Sequence, residues 1–181
     1  MYVWIGIDVD SQLLEIKERV REIENEIRFV NSVFTLPLHI SLKISFAIED
    51  NIFESVKNDL LSVFATTESF NIDVSGIEHE NNICWIRMQR SAHLDTLHDK
   101  LNVILLEKYG VPLHDYDMDY KFHTTLFMDN DFVKVQQAYN ELGNASVPST
   151  LIANKFVIGT SESGALGTYK VVYEYKNSGL N

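Results

Sequence analysis

Apolar and polar residues alternate without interruption over residues 38–46, within the stretch LPLHISLKISF. Successive side chains leave a β-strand on opposite faces, so this pattern predicts a half-buried strand over 38–48. Its apolar face can pack on a core, whereas its polar face must look at water or into a cleft. The apolar set is Leu38, Ile40, Leu42, Ile44 and Phe46, and the polar set is His39, Ser41, Lys43 and Ser45.

Periodicity and turn residues predict the remaining elements, and their order indicates two loosely related halves. Each half has a helix, a strand that carries a histidine, a second helix and paired strands. Asp10 or Ser11 is placed to cap the first helix, and Gly110 to end the third. The predicted helices cover residues 11–28, 51–65, 92–110 and 132–143. The other predicted strands are 2–9, two within 69–89 around Glu80-Asn81-Asn82, 120–128, and LIANKFVIGT and TYKVVYEY in the tail.

Composition and charge narrow the classes of partner. The chain has 181 residues, 45% hydrophobic and 23% charged, as expected for one globular domain spanning 1–181. Its formal net charge is −11 and it has no basic stripe, which argues against a long duplex nucleic acid as partner. We therefore expect a monomer that binds a small nucleotide or an RNA end.

Two features indicate the cellular compartment. The single cysteine, Cys84, excludes an internal disulfide and suits a reducing cytosol. The first residues, MYVWIGIDVD, lack the basic leader of a signal peptide and are too short an apolar run to span a membrane. These features predict a cytoplasmic protein that does not associate with membranes.

A second stretch, KFHTTLFM at 121–128, repeats the pattern of the first. Each stretch contains a histidine, any residue, a hydroxyl residue and a leucine, and the second histidine lies 84 positions after the first. In the predicted second strand His123, Thr125 and Phe127 share one face. Phe127 is therefore the better candidate for stacking a base, whereas Phe46 is expected in the core.

The spacing of histidine and hydroxyl within each stretch suits the binding of a phosphoryl group. A histidine and a hydroxyl two positions apart on a strand lie about 6–7 Å apart, so a phosphoryl group fits between them. If two such strands face each other, one neutral imidazole can accept a proton from the attacking oxygen while an imidazolium protonates the leaving oxygen. The hydroxyls can donate to the non-bridging oxygens, where negative charge grows. This chemistry requires no metal or other cofactor.

Paired H-x-[ST]-Leu motifs on strands, in a chain of this length and element order, resemble those of the 2H phosphoesterase superfamily. That superfamily includes the 2′-5′ RNA ligase-like proteins and cyclic phosphodiesterases, and the resemblance covers nearly the whole chain. It implies a bilobal α+β fold, with two pseudo-symmetric lobes of mainly antiparallel sheet flanked by helices around a central cleft.

The resemblance also implies an activity and the residues that perform it. The activity would be metal-independent hydrolysis of 2′,3′-cyclic phosphate ends or 2′-5′ phosphodiester bonds in nucleotides or RNA, as in RNA processing. His39 and His123 would be the catalytic acid–base pair, and Ser41 and Thr125 would bind the substrate phosphate. The sequence does not assign the acid and the base within the pair.

The chain departs from the family after the second motif. Many members have H-x-T-L-Ala-Arg there, whereas this chain has Phe127 and Met128. Lys43 shares the predicted face of His39 and Ser41, and we expect it to supply part of the missing positive charge.

Two alternatives to a metal-independent enzyme stay open. The first is a non-catalytic module that binds a nucleotide or an RNA end in the same cleft. The second is a metal-dependent hydrolase, which is disfavoured because no carboxylate or third histidine stands at a consistent spacing beside either motif. The acidic segment HDYDMD at 114–119 lacks the glycine and glutamate of a calcium-binding loop, so it is predicted to be a solvated loop.

Overall fold

The structure is a computed structural model that describes residues 1–28, 32–143 and 145–177. None of the helices in these ranges is both long enough and apolar enough to cross a membrane. The strands are β1 (Tyr2–Asp8), β2 (His39–Ala47), β3 (Phe70–Glu80), β4 (Ile83–Met88), β5 (His123–Met128), β6 (Thr150–Ala153), β7 (Lys155–Ser161) and β8 (Lys170–Lys176). The helices are α1 (Leu14–Ile27), α2 (Phe53–Ala65), α3 (Ala92–Tyr109), α4 (Asp115–Met118) and α5 (Phe132–Leu142).

Two four-stranded antiparallel sheets form the two lobes. Their strand orders are β2-β1-β7-β8 and β5-β4-β3-β6. The two strands that carry the histidine motifs, β2 and β5, each lie at an edge of their sheet, and they contact each other. Helix α1 packs against α5, and α2 packs against α3. The fold is therefore α+β and bilobal, as the resemblance implied.

Two predicted turns are confirmed, but the predicted cap of the first helix is wrong. Asn81 and Gly110 both have positive φ, 48° and 67°, at the β3–β4 turn and at the end of α3. Helix α1, however, begins after Leu13, with no side-chain cap. The Asp10 carboxylate instead accepts a hydrogen bond from the backbone N–H of Leu38, at 2.8 Å.

The prediction of one strand over LIANKFVIGT is wrong, because the chain leaves one sheet and enters the other at Asn154. The first part, β6, pairs with β3 in the second sheet, and the second part, β7, pairs with β1 in the first. Both parts carry buried apolar residues, so the apolar pattern shows no break there. The tail of the chain therefore completes both lobes.

Each motif strand contains a β-bulge at its leucine. Leu42 lies between Ser41, which pairs with Gly6, and Lys43, which pairs with the adjacent Ile5. In β5 the extra residue is Leu126, because Thr125 and Phe127 pair with adjacent residues of β4. An extra residue reverses the alternation of faces directly beyond it. In β2 a second register shift leaves Ile44 and Ser45 opposite Trp4 and restores the predicted alternation, so that Phe46 faces the core. The predicted alternation therefore holds through the motifs and fails directly after them.

The bulges correct two predictions made from strict alternation. Lys43 and Phe127 are each only 1% exposed and face the core rather than the polar side of their strands. Ile44 and Met128 take the positions on the polar side instead. Phe127 is consequently not available to stack a base, and Lys43 is not available to contact a substrate.

The ammonium of Lys43 is neutralised inside the protein by Asp117. Both side chains are essentially inaccessible, 1% and 0% exposed, and they form an ion pair. Asp117 also accepts a hydrogen bond from the backbone N–H of His114, at 2.8 Å. The prediction of a solvated loop over 114–119 is therefore wrong, since this segment contains α4 and is fixed to β2 through a buried charge.

We predict that Lys43→Met or Asp117→Asn lowers the free energy of unfolding by about 3 to 5 kcal/mol, because each leaves a buried charge without its partner. Urea denaturation of the variants and the parent protein measures this difference. The matched control is Glu54→Gln in the more exposed Glu54–Lys57 pair, which should change stability by about 0 to 1 kcal/mol. Equal losses in the two pairs would contradict the prediction.

Candidate active site

A cleft of about 740 Å³ lies between the lobes, beside β2 and β5. Ser41, His123 and Thr125, three of the four residues singled out from the sequence, line it. His39 is half-buried on β2, two positions before Ser41. The structure thus brings both motifs to one cleft. The other lining residues are Ile44, Ser45, Glu80, Ile83, Trp85, Asp115, Tyr116, Asp119, Tyr120, Lys121 and Met128.

Each motif histidine is oriented by a carbonyl two residues before it. The Nδ1–H of His39 donates to the carbonyl oxygen of Pro37 at 2.7 Å, and that of His123 donates to the carbonyl oxygen of Lys121 at 2.6 Å. A carbonyl oxygen only accepts, so Nδ1 carries the hydrogen in both rings. In the neutral form each Nε2 then bears a lone pair that can accept a proton.

The environment favours the neutral form of both imidazoles. Burial is the main cause that lowers the pKa of His39 from 6.5 to about 4, and the charge of His123 contributes to this decrease. Burial also lowers the pKa of His123, and the charge of Arg87 adds to this effect. A proton on His123 therefore disfavours a proton on His39.

Trp4 holds the hydroxyl of Ser41 in place. The indole Nε1–H donates to Ser41 Oγ at 3.1 Å, and the same ring contacts His39 edge-on with centroids 4.2 Å apart. The indole lies against Gly6 and Gly159, where an added Cβ would come within 2.6 and 2.7 Å of it. Both positions therefore require glycine for Trp4 to reach the motif.

Tyr120, from the second half of the chain, lines the cleft together with Ser41. Its ring packs against His98 and Phe122, with centroid distances of 4.6 and 5.2 Å. Burial and the charge of Asp117 raise the pKa of Tyr120, so its hydroxyl stays protonated at neutral pH. The cleft around Ser41 is consequently lined by residues from both halves of the chain.

Trp85 stands beside the second motif as Trp4 stands beside the first. It pairs with Thr125 in the β4–β5 ladder, and its ring centroid lies 5.7 Å from that of His123. Its Nε1–H is buried and has no hydrogen-bond acceptor in the described part of the chain. A bound ligand can provide that acceptor.

The aromatic residues of the cleft are not those chosen from the sequence. Phe46 is 8% exposed, and so the prediction that it belongs to the core is confirmed. Trp85, Tyr116 and Tyr120 line the cleft instead of Phe127. The alternation in ICWIRM places Trp85 on one face of its strand, which is a usable signal once β4 is paired with the motif strand.

The cleft is poor in cations. Among the lining residues that the structure describes, Lys121 is the one cation, against the carboxylates of Glu80, Asp115 and Asp119. Within residues 1–28, 32–143 and 145–177, no group of three or more His, Cys, Asp or Glu side chains could hold a metal ion. Polar contacts to a ligand here come mainly from hydroxyl, indole and imidazole groups.

The family model of the 2′-5′ RNA ligase superfamily matches residues 5–164, a span that contains both motif strands. The chain belongs to this superfamily. As a member of the 2H phosphoesterases, it is related to enzymes that act on phosphodiester bonds. A comparison with curated proteins gives no match.

Solved structures share the 2H fold of this chain at low sequence identity. The protein TT0787 of Thermus thermophilus has a TM-score of 0.62 and 15% identity, with 97% of each chain covered. LigT of E. coli in its apo form has a TM-score of 0.56 and 16% identity, covering 96% of this chain and 95% of that one. At these identities the similarity supports the fold alone.

We predict that His39 and His123 of this 2H protein are both Nδ1–H tautomers at pH 7, because each Nδ1 is held by a carbonyl oxygen. Long-range ¹H–¹⁵N NMR distinguishes the protonated from the unprotonated ring nitrogen, with His39→Gln and His123→Gln for assignment. The exposed His93, which is outside the cleft, serves as the reference ring. A protonated Nε2 in either motif histidine at pH 7 would overturn the assignment.

Proposed function

We propose that the chain is a metal-independent phosphoesterase that acts on 2′,3′-cyclic phosphate ends or 2′-5′ phosphodiester bonds of nucleotides or RNA. His39 and His123 are the acid–base pair, and Ser41 and Thr125 bind the substrate phosphate. The observation that carries the proposal is the proximity of two imidazoles, one from each lobe, whose Nε2 atoms have no hydrogen-bond partner in the described part of the chain. Membership of the 2H phosphoesterases supports the reaction class.

The proton transfers require that one of the two motif histidines is neutral and the other is protonated. The neutral imidazole takes a proton from a water molecule as its oxygen attacks phosphorus. The imidazolium gives its proton to the ribose oxygen as the P–O bond to it breaks, which leaves a phosphomonoester. The carbonyls of Pro37 and Lys121 keep each ring in the orientation that presents Nε2.

Ser41 and Thr125 act on the charge that grows on the non-bridging oxygens. Trp4 already donates to Ser41 Oγ, so the hydroxyl proton of Ser41 remains to be donated to an acceptor. Thr125 lies on the opposite motif strand and lines the same cleft. A phosphate held between them is contacted from two sides by neutral donors, which stabilise a transition state without prior reorganisation.

The cleft suits a small substrate. Its volume of about 740 Å³ is that of a site for a single nucleotide-sized ligand. The carboxylates of Glu80, Asp115 and Asp119, together with a net charge of −11, oppose a long polyanion. LigT of E. coli has been solved in complex with 3′-AMP and with ATP, which supports a nucleotide as the ligand class.

We predict that His39→Ala and His123→Ala each lower kcat by about 10²- to 10⁴-fold, because each removes one of the two proton transfers. Turnover is measured with nucleoside 2′,3′-cyclic phosphates, RNA ending in a cyclic phosphate, and 2′-5′ oligoadenylates, in the presence of a chelator. The control His93→Ala should leave the rate unchanged, since His93 lies outside the cleft.

Each outcome of this assay separates the proposal from its rivals. Full turnover by either motif variant would overturn the assigned roles. Activity that a chelator abolishes and an added metal restores would favour the metal-dependent hydrolase. Nucleotide binding by the parent protein, with no turnover of any substrate in the panel, would favour the non-catalytic binding module.

We predict a bell-shaped pH profile for kcat/KM with its maximum below pH 6.5. The reaction needs one neutral and one protonated imidazole, and both pKa values in the free protein are lowered, that of His39 to about 4. The alkaline limb of kcat should lie at higher pH, because a bound phosphate anion favours the imidazolium. A maximum of kcat/KM above pH 7 would contradict this prediction.

A further inference from the structure

Arg87 is a half-buried cation near the cleft whose guanidinium makes no hydrogen bond or ion pair with any residue in the described ranges. Two other cations near the motifs are neutralised: the buried Lys43 by Asp117, and the partly exposed Lys155 by Asp8 at 2.8 Å. Partial burial of a guanidinium that has no anion beside it lowers the stability of the protein. Arg87 is therefore suited to bind an anion that the free protein lacks.

The strand register places Arg87 beside His123. The two residues are direct partners in the β4–β5 ladder, and side chains so paired stand on one face with Cβ atoms about 4.5–5.5 Å apart. Burial alternates cleanly along β4, and its outer face carries Ile83 and Trp85, which line the cleft, followed by Arg87. Arg87 therefore lies next to His123, close enough for its charge to act on that ring, at the border of the residues that line the cleft.

The two lobes differ at this position. The residue that pairs with His39 in the first sheet is Asp8, an acid that lies in an ion pair with Lys155. The residue that pairs with His123 is a cation with no such partner in the part of the chain that the structure describes. An anion in the cleft is consequently drawn toward the second motif, where the family's usual basic residue is replaced by Met128.

We propose that Arg87 binds the substrate phosphate and takes the place of the basic residue that Met128 does not provide. A guanidinium presents a fork of N–H donors that matches two non-bridging oxygens, which a lysine does not. The inference rests on the proposed function for the identity of the substrate, but anion binding by Arg87 does not require turnover.

Anion binding and protonation of His123 are linked in this arrangement. In the free protein the charge of Arg87 opposes a proton on His123. The other groups that act on this ring are the charge of His39, the carbonyl of Lys121 and the indole of Trp85. A phosphate that neutralises Arg87 removes its opposition, so that His123 holds a proton when substrate is bound.

The test compares Arg87→Gln, Arg87→Lys and the control Arg19→Gln, whose side chain lies outside the cleft and is paired with Glu22 at 3.0 Å. Calorimetry with inorganic phosphate and with a nucleoside 3′-monophosphate gives Kd, and NMR titration gives the pKa of His123 in the free proteins. Arg87→Gln should raise both Kd values about 10- to 100-fold, the loss expected for hydrogen bonds to a charged group. Arg87→Lys should lose less, and Arg19→Gln should stay within about twofold of the parent.

The NMR measurement reports a property that a merely structural role of Arg87 would not change. The pKa of His123 should rise in Arg87→Gln and stay unchanged in Arg19→Gln. Unchanged Kd values, an unchanged pKa, or an equal loss in Arg19→Gln would overturn the inference. If the parent turns over no phosphodiester but Arg87→Gln still weakens phosphate binding, the proposed reaction fails and this inference stands. If the histidine variants lose turnover but Arg87→Gln keeps its affinity for phosphate, the proposed reaction stands and this inference fails.

Discussion

The bulges at Leu42 and Leu126 determine which side chains face the cleft, because each adds one residue to a motif strand and reverses the faces of the residues directly after it. Before each bulge, histidine and hydroxyl stand on the cleft side. After it, Ile44 and Met128 take that side, while Lys43 and Phe127 enter the core. The same bulge in both lobes confines the polar side chains on the cleft side to the motifs, and apolar residues follow them.

Burial of Lys43 connects the core to the site. Its ion pair with Asp117 fixes the segment around α4 against β2, and Tyr120, which follows that segment, lines the cleft together with Ser41. A positive charge expected at the substrate thus lies behind the motif, where it helps to fix a segment that lines the cleft. The motif side chains at the site are neutral groups, and the buried Lys43–Asp117 ion pair lies behind them.

The sequence predicted the features that depend on local pattern. The motif histidines and hydroxyls, most helices and strands, and the turns at Asn81 and Gly110 follow from periodicity and residue type. What it missed depends on pairing between distant segments. The bulges become visible only when β1 and β4 are laid beside the motif strands, and the break at Asn154 separates two apolar runs that join different sheets. Arg87 and Trp85 likewise gain meaning only from their partners in β5.

The position of β7 has a consequence for how this protein is made on the ribosome. Strand β1 emerges before β2 to β6, yet one of its two neighbours, β7, follows all of them along the chain. Until β7 is synthesised, the buried apolar strand β1 keeps an open edge that can pair with other chains. Nascent chains that stall before Lys155 should therefore depend on chaperones, even though most of the second sheet has already been translated.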